Sequence, residues 1–400
     1  MRASAALSIA IGCAGSFGCQ GCEDRPASPV EKPAPETPKP AAKFTNAHPA
    51  VRCGECHNGP FGDWSGSGHA RASRSSLYVA MREKSGPASC DPCHAPLASK
   101  VDPAEPVASE GVTCEVCHSI ADVKEHASGA AVTYSLEDNI KRGPLCGGTD
   151  NYFHKMGCSP LHRSALLCAG CHKWSMPVHG GGELPIFTAY DEWKGSTYAA
   201  GSIPCQDCHM PTAVDEVAAG WNKKVRVANH GFMGEADDLR RRALSMSVRV
   251  EEKGGKLNAD VEIVNGAAGH NVPAGLPGRQ IVLSVRVIDK AGNAAGHDTR
   301  AFGRVLVDGS GAEVPFYAAR REASDTRIKP GETRRESFSF DMKVEGEIVV
   351  ELLWRRISPA VAGILKLPIE EQKLAEARVP FGALRGGSRA LLPKTVAVKP

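Results

Sequence analysis

The chain has 400 residues, with 48 Lys and Arg against 45 Asp and Glu and a formal net charge of +3. That length suits two domains, and so small a charge gives no support to a nucleic-acid partner. Beyond the N-terminus no stretch is long and apolar enough to cross a bilayer as a helix.

Residues 1–22 read as an export segment. Met1-Arg2 supplies a short positive region and Ala5 to Gly12 a short apolar core. Cys13, Cys19 and Cys22 follow, each after a glycine. A small residue before Cys, after an apolar run, suits lipid attachment to a mature N-terminal cysteine. Cys19 and Cys22 suit this better than Cys13, whose signal is very short. Plain signal cleavage followed by unrelated cysteines is the alternative. Residues 23–43 are Pro-rich and lack apolar residues for a core, so an extended, mobile tether is expected there. A tether after a lipid site lets a soluble body stand off a membrane. The expected location is therefore the periplasm, or the outer membrane or cell surface as a lipoprotein.

Residues 44–235 hold five copies of Cys-x-x-Cys-His: Cys53/Cys56/His57, Cys90/Cys93/His94, Cys114/Cys117/His118, Cys168/Cys171/His172 and Cys205/Cys208/His209. This is the attachment pattern of c-type haem. Two thiols three positions apart share one side of a helical turn and reach the two vinyl groups of one porphyrin. The next residue, His, turns a ring nitrogen onto the iron. A zinc ribbon needs paired units, and five is odd. Five covalently attached haem c groups are expected, using ten of the fifteen cysteines. Their propionates could reverse the sign of the net charge. Attachment of haem to this motif outside the bacterial cytoplasm agrees with export.

The same region is rich in Gly, Pro, Ser and His, with little strand-like alternation. His69 to Lys84 reads as one helix, and Thr188-Ala-Tyr-Asp191 as a capping box opening another. So loop-rich a segment buries little side-chain area by itself, and the porphyrins are expected to supply its core. Cys146 and Cys158 lack a following His and read as one disulfide; ligation of a metal is the alternative.

From residue 243 to 383 the period changes to two. Leu244, Met246, Val248 and Val250 alternate with polar residues, as do Leu257 to Ile263, Ile281 to Val287, Phe338 and Phe340, and Ile348 to Trp354. Seven or eight short strands with Gly-rich turns point to an immunoglobulin-like β-sandwich. Residues 384–400 read as a loose polar tail. The expected fold is thus two-part: a loop-rich, mainly α multihaem domain followed by an all-β sandwich.

Nine histidines lie outside the motifs. A second His on an iron closes it and makes an electron carrier, whereas an iron with one His is open to substrate. Candidates for the second ligand are His230, where the two regions meet, His270 on a Gly/Pro-rich loop between strands, His154, and His48 just before the first motif.

Cys53 to His57 followed by Trp64-Ser-Gly-Ser-Gly-His69-Ala resembles the opening of multihaem cytochromes related to the tetrahaem electron acceptor of hydroxylamine oxidoreductase. In that family the corresponding His ligates the iron of a different haem across the fold, which makes His69 a distal ligand by resemblance. The stretches Gly143 to His172 and Glu192 to Pro211 also match larger relatives. Asn265 to Gly275, carrying His270, is similar to a His-bearing loop in relatives that join haem and β-domains.

The expected function is a relay of electrons between redox protein partners through closely packed, mostly bis-His haems. No catalytic residue is assigned. The alternative is a reductase or oxidase of a small nitrogen or sulfur compound at one five-coordinate haem.

Overall fold

A computed structural model describes residues 46–233, 237–341, 345–382 and 394–398. The expectations for residues 1–43 lie outside them. Short helices run through the motif half. They are α1 (Ala50–Gly54), α2 (Asn58–Ser65), α3 (Ser76–Ser85), α4 (Pro87–His94), α5 (Cys114–His118), α6 (Leu166–His172), α7 (Ala189–Lys194), α8 (Thr197–Ala200) and α9 (Cys205–His209). Four motifs end their helix on the His, and the first runs from α1 into the N-cap of α2, His57.

The helix expected over residues 69–84 begins only at Ser76. Residues 69–74 form turns, and the His69 carbonyl accepts both from the Ala72 amide, three residues on, and from Val112. Ser75 then caps α3 by accepting from the Tyr78 amide. The capping box at Thr188 is also absent, because its hydroxyl donates to the Glu192 carboxylate at 2.6 Å.

Strands are commoner in the motif half than its sequence pattern indicates. β1 (Ile120–His126) pairs with β2 (Gly129–Tyr134), β3 (Ile140–Gly143) with β4 (Lys155–Cys158), β5 (Trp174–Pro177) with β6 (Glu183–Phe187), and β7 (Thr212–Glu216) with β8 (Lys224–Ala228). These two-stranded ribbons bury too few side chains to show an alternating apolar pattern. All of β7, for example, is exposed.

After α10 (Asp237–Ala243) come nine strands: β9 (Ser245–Lys253), β10 (Lys256–Val264), β11 (Gln280–Asp289), β12 (Ala294–Val307), β13 (Arg321–Asp325), β14 (Thr333–Asp341), β15 (Gly346–Arg355), β16 (Glu371–Phe381) and β17 (Lys394–Val398). They form antiparallel sheets in the orders β14-β10-β9-β17 and β13-β12-β11-β15-β16. Met246, Val248, Leu257, Ala259, Val261 and Ile263 from the first sheet share a buried core with Ile281, Leu283, Val285, Ile348, Val350 and Leu352 from the second. Period-two alternation aims these residues inward. Where the sequence reads as a loose tail, β17 instead pairs with β9. Helix α11 (Pro359–Leu365) links β15 to β16.

The motif and β halves belong to one compact unit, residues 41–400. Arg304 of β12, almost fully buried, donates to the Ile186 and Pro185 carbonyls of β6 at 3.0 and 2.6 Å. Among the described residues no helix is long and apolar enough to cross a membrane.

Candidate haem-binding site

One connected cavity of about 2870 Å³ runs through the motif half and reaches the β half. All ten motif cysteines and all five motif histidines line it, with His48, His69, His154, His230 and His270. A fifth of that volume falls within the roughly 300–1,000 Å³ of a single cofactor pocket. The cavity is large enough for several bulky groups.

The ring nitrogens are arranged for ligation. The Nδ1 atoms of His57, His94 and His118 lie 2.7, 2.9 and 2.6 Å from the Val217, Ala72 and Arg142 carbonyls. Those of His154, His230 and His270 lie 3.2, 2.8 and 3.1 Å from the Lys155, Ala228 and Asn271 carbonyls. A carbonyl only accepts, so each Nδ1 carries the proton and each Nε2 keeps its lone pair. Burial also favours the neutral ring. It pushes His69, His172 and His209 down to about 4 and His118 to about 3, and lowers His94, His154 and His230.

Four motif histidines face a second imidazole. Ring centres are 6.2 Å apart for His57 and His154, 6.2 Å for His118 and His230, 6.4 Å for His172 and His69, and 6.2 Å for His209 and His270. Two metal–imidazole bonds of about 2.0–2.1 Å, taken on opposite sides and added to two ring radii of about 1.1 Å, give roughly 6.3 Å. The donor set and spacing therefore fit haem iron at these four places. His162 lies closer to His118, at 5.6 Å, but its Nε2 is 3.0 Å from the Cys117 carbonyl. That nitrogen is the protonated one, so His162 is not set up like the others.

The remaining sequence candidates fall elsewhere. His48 meets no motif histidine; its Nδ1 lies 3.5 Å from the Arg52 guanidinium. His94 has no second histidine ring against it among the described residues. Its ring lies 4.9 Å from that of Tyr78, whose hydroxyl donates to Asp91 at 2.7 Å. Cys146 and Cys158 form a disulfide, with Cα atoms 4.8 Å apart, next to the segment that presents His154.

The backbone around the site is tight where a ligand must be held. Gly111 has φ +88°, and a Cβ there would lie 2.6 Å from the His69 carbonyl. Only glycine lets that bend approach His69 so closely. In the third motif, Glu115 is buried and pairs with Lys141 at 2.6 Å, and its other oxygen accepts from the His48 amide at 3.4 Å. Glu115 does not stand out in the sequence, because its partners His48 and Lys141 lie far along the chain.

Attachment cysteines of different motifs also lie side by side: Cys53 is beside Cys114, Cys93 beside Cys171, and Cys168 beside Cys205. The attachment points of the first and third, second and fourth, and fourth and fifth motifs are therefore adjacent. Spatial order differs from chain order.

Residues 52–119 match the family of cytochrome c554 and c-prime. No curated protein matches the chain. Among solved structures, the chain is similar to a penta-haem cytochrome c552 from Thermochromatium tepidum, at 22% identity and a TM-score of 0.68, covering 85% of this chain and 100% of that one. At that identity the likeness establishes a shared fold. With the five motifs and the family match, it supports a multihaem c-type cytochrome that binds haem c.

Proposed function

We propose that the chain is an exported pentahaem cytochrome that relays electrons between redox protein partners. The observation that carries this is the set of four imidazole pairs, each spaced for one iron. Haem, when bound, supplies reversible one-electron chemistry. The protein's part is to hold and shield. His57 with His154, His118 with His230, His172 with His69 and His209 with His270 would each hold one iron between two imidazoles and would keep small molecules off it. Backbone carbonyls fix the rings of His57, His118, His154, His230 and His270 through Nδ1. The neighbouring attachment cysteines support two groups of adjacent centres, the first motif with the third, and the second with the fifth through the fourth.

The motif half draws export support from the N-terminal segment, and attachment to a membrane through a lipid at Cys19 or Cys22 belongs to this proposal. The β half supports an immunoglobulin-like reading: β16-β15-β11-β12 parallels the G-F-C-C′ order and β9-β10-β14 the A-B-E order of such domains.

One observation favours a second reading, a reductase or oxidase of a small nitrogen or sulfur compound. His94 stands beside Tyr78 and not opposite another histidine. A centre there would be open on one side. Optical titration of the oxidised full chain with cyanide, nitrite and hydroxylamine separates the two. A relay predicts no spectral change at the four paired centres. Turnover of nitrite or hydroxylamine at the His94 centre would establish the enzyme.

A further inference from the structure

We infer that Glu192 is a positioning residue that holds His270 against His209, so that the β half donates this imidazole only while one buried ion pair is closed. The inference rests on the His209–His270 pairing proposed above. Residues 265–275 connect β10 to β11 and lie against α7 and α8 of the motif half. The link to Glu192 runs through a single residue. Asn271 offers its carbonyl to His270 Nδ1, at 3.1 Å, and donates its amide N–H to Glu192 Oε2, at 3.0 Å. A shift of that residue therefore moves the carbonyl that orients the ring.

Glu192 is itself fixed from both halves. Its Oε1 accepts from the Thr188 hydroxyl at 2.6 Å and pairs with Arg327 Nη2 at 2.7 Å. The Arg327 side chain is 5% exposed and that of Glu192 12%, so water offers neither a substitute partner. Arg327 also donates to both oxygens of Asp325, at 2.9 and 2.7 Å. The next residue, Ile328, exchanges two backbone hydrogen bonds of 2.9 Å with Val272. Fully buried Asn265 ties the same two segments by donating to the His270 and Ile328 carbonyls, each at 3.0 Å. The His270 loop and the Arg327 segment thus move as one piece, and Glu192 is where that piece grips the motif half. Behind the loop, a Cβ on Gly269 would lie 3.2 Å from Tyr198 and 3.3 Å from Trp193, so the aromatic side chains of α7 and α8 leave it no slack.

The test uses the haem-loaded full chain. His270→Ala, Glu192→Ala, Glu192→Gln and Arg327→Met are compared by low-temperature electron paramagnetic resonance and by cyanide binding to the oxidised protein. Glu347→Gln, which loses an exposed ion pair with Arg378 between β15 and β16 away from the loop, is the control. The expected result is that His270→Ala abolishes one low-spin signal, and that Glu192→Ala and Arg327→Met weaken that same signal. Added imidazole should restore a low-spin signal by filling the vacated position, and a parent-like far-ultraviolet circular dichroism spectrum shows that the variants are folded. Glu192→Gln still accepts from the Asn271 amide but loses the charge. It should raise the cyanide-binding fraction at that centre roughly tenfold, the effect of weakening one charged hydrogen bond. The control should keep the signal. If His270→Ala loses the signal while Glu192→Ala, Glu192→Gln and Arg327→Met behave as the parent, the role of Glu192 is overturned and the pairing stands. If His270→Ala leaves every low-spin signal intact, the pairing falls and the positioning role with it. Should Glu192→Ala fail to fold, Glu192→Gln decides, and a parent-like cyanide response there overturns the inference.

Discussion

Lys141→Met is expected to destabilise the protein by about 3 kcal/mol, because it leaves the carboxylate of the third motif buried without its cation. Glu115 is 1% exposed at its side chain and Lys141 17%, with Nζ and Oε1 2.6 Å apart. At an effective dielectric constant of about 20 the gross attraction is roughly 6 kcal/mol, most of it offset by the desolvation of both groups. Removing one partner of a buried pair costs about 3–5 kcal/mol, since the other keeps its desolvation penalty. The low end applies here. The Met side chain preserves the packing of the Lys stem, and Glu115 retains the His48 amide. Lys141 also donates to the Asn46 carbonyl at 3.2 Å, a smaller loss. For a chain of this size the cost corresponds to a fall in Tm of roughly 5 °C, read by calorimetry on the haem-loaded protein. Glu115→Gln combined with Lys141→Met should recover at least half of it, because no charge is then left buried. A single variant within 1 kcal/mol of the parent, or a double variant no better than the single, would refute the reasoning.

Gly346→Ala should cost at least about 3 kcal/mol, beyond ordinary overpacking, because its Cβ would fall 1.9 Å from the Ile288 carbonyl oxygen where β15 meets β11; denaturant titration checks this. Lys173, then Lys194, lowers the Glu125 carboxyl to about 2. A depressed carboxyl stabilises above its unfolded value and loses that contribution as pH falls from the ordinary carboxylate range toward about 2. Glu125→Gln should therefore flatten the acid limb of a stability–pH curve by about 1 kcal/mol, after allowance for the screening of a partly exposed pair, and an unchanged limb would exclude the effect. Replacing all ten motif cysteines by Ala should leave the motif half open to protease while residues 245–382 resist, since the 2870 Å³ cavity then has nothing to fill it; a uniformly resistant chain would show that haem is not its core.

Local chemistry was legible in the sequence, and pairing across distance was not. The five motifs announce themselves because spacing alone encodes their chemistry. Strands β10 and β11 are likewise legible, since Leu257 to Ile263 and Ile281 to Val287 alternate against a dry core. Strand β12 is not: its first half, through His297 and Thr299, is largely exposed and reads as loop. The four ribbons of the motif half fail for the same reason. His69 illustrates the other limit. Its resemblance to a cross-fold ligand gives no partner, and only the fold sets it 6.4 Å from His172. His154 meets the first motif through the segment closed by Cys146 and Cys158, a juxtaposition no local pattern contains. His48 sits near the same motif in sequence, yet its contribution is a backbone amide to Glu115 and not a ring. The Glu192–Arg327 pair spans two halves of the chain, and neither residue carries a mark of that role.

Near-infrared magnetic circular dichroism of the oxidised full chain tests the central claim most directly, because it counts irons bound by two imidazoles. Four such irons, with the fifth distinct, is the result these ring pairs predict. Five equivalent bis-imidazole irons would mean that His94 also has an opposing ring, and two or fewer would mean that the imidazole pairs do not hold metal.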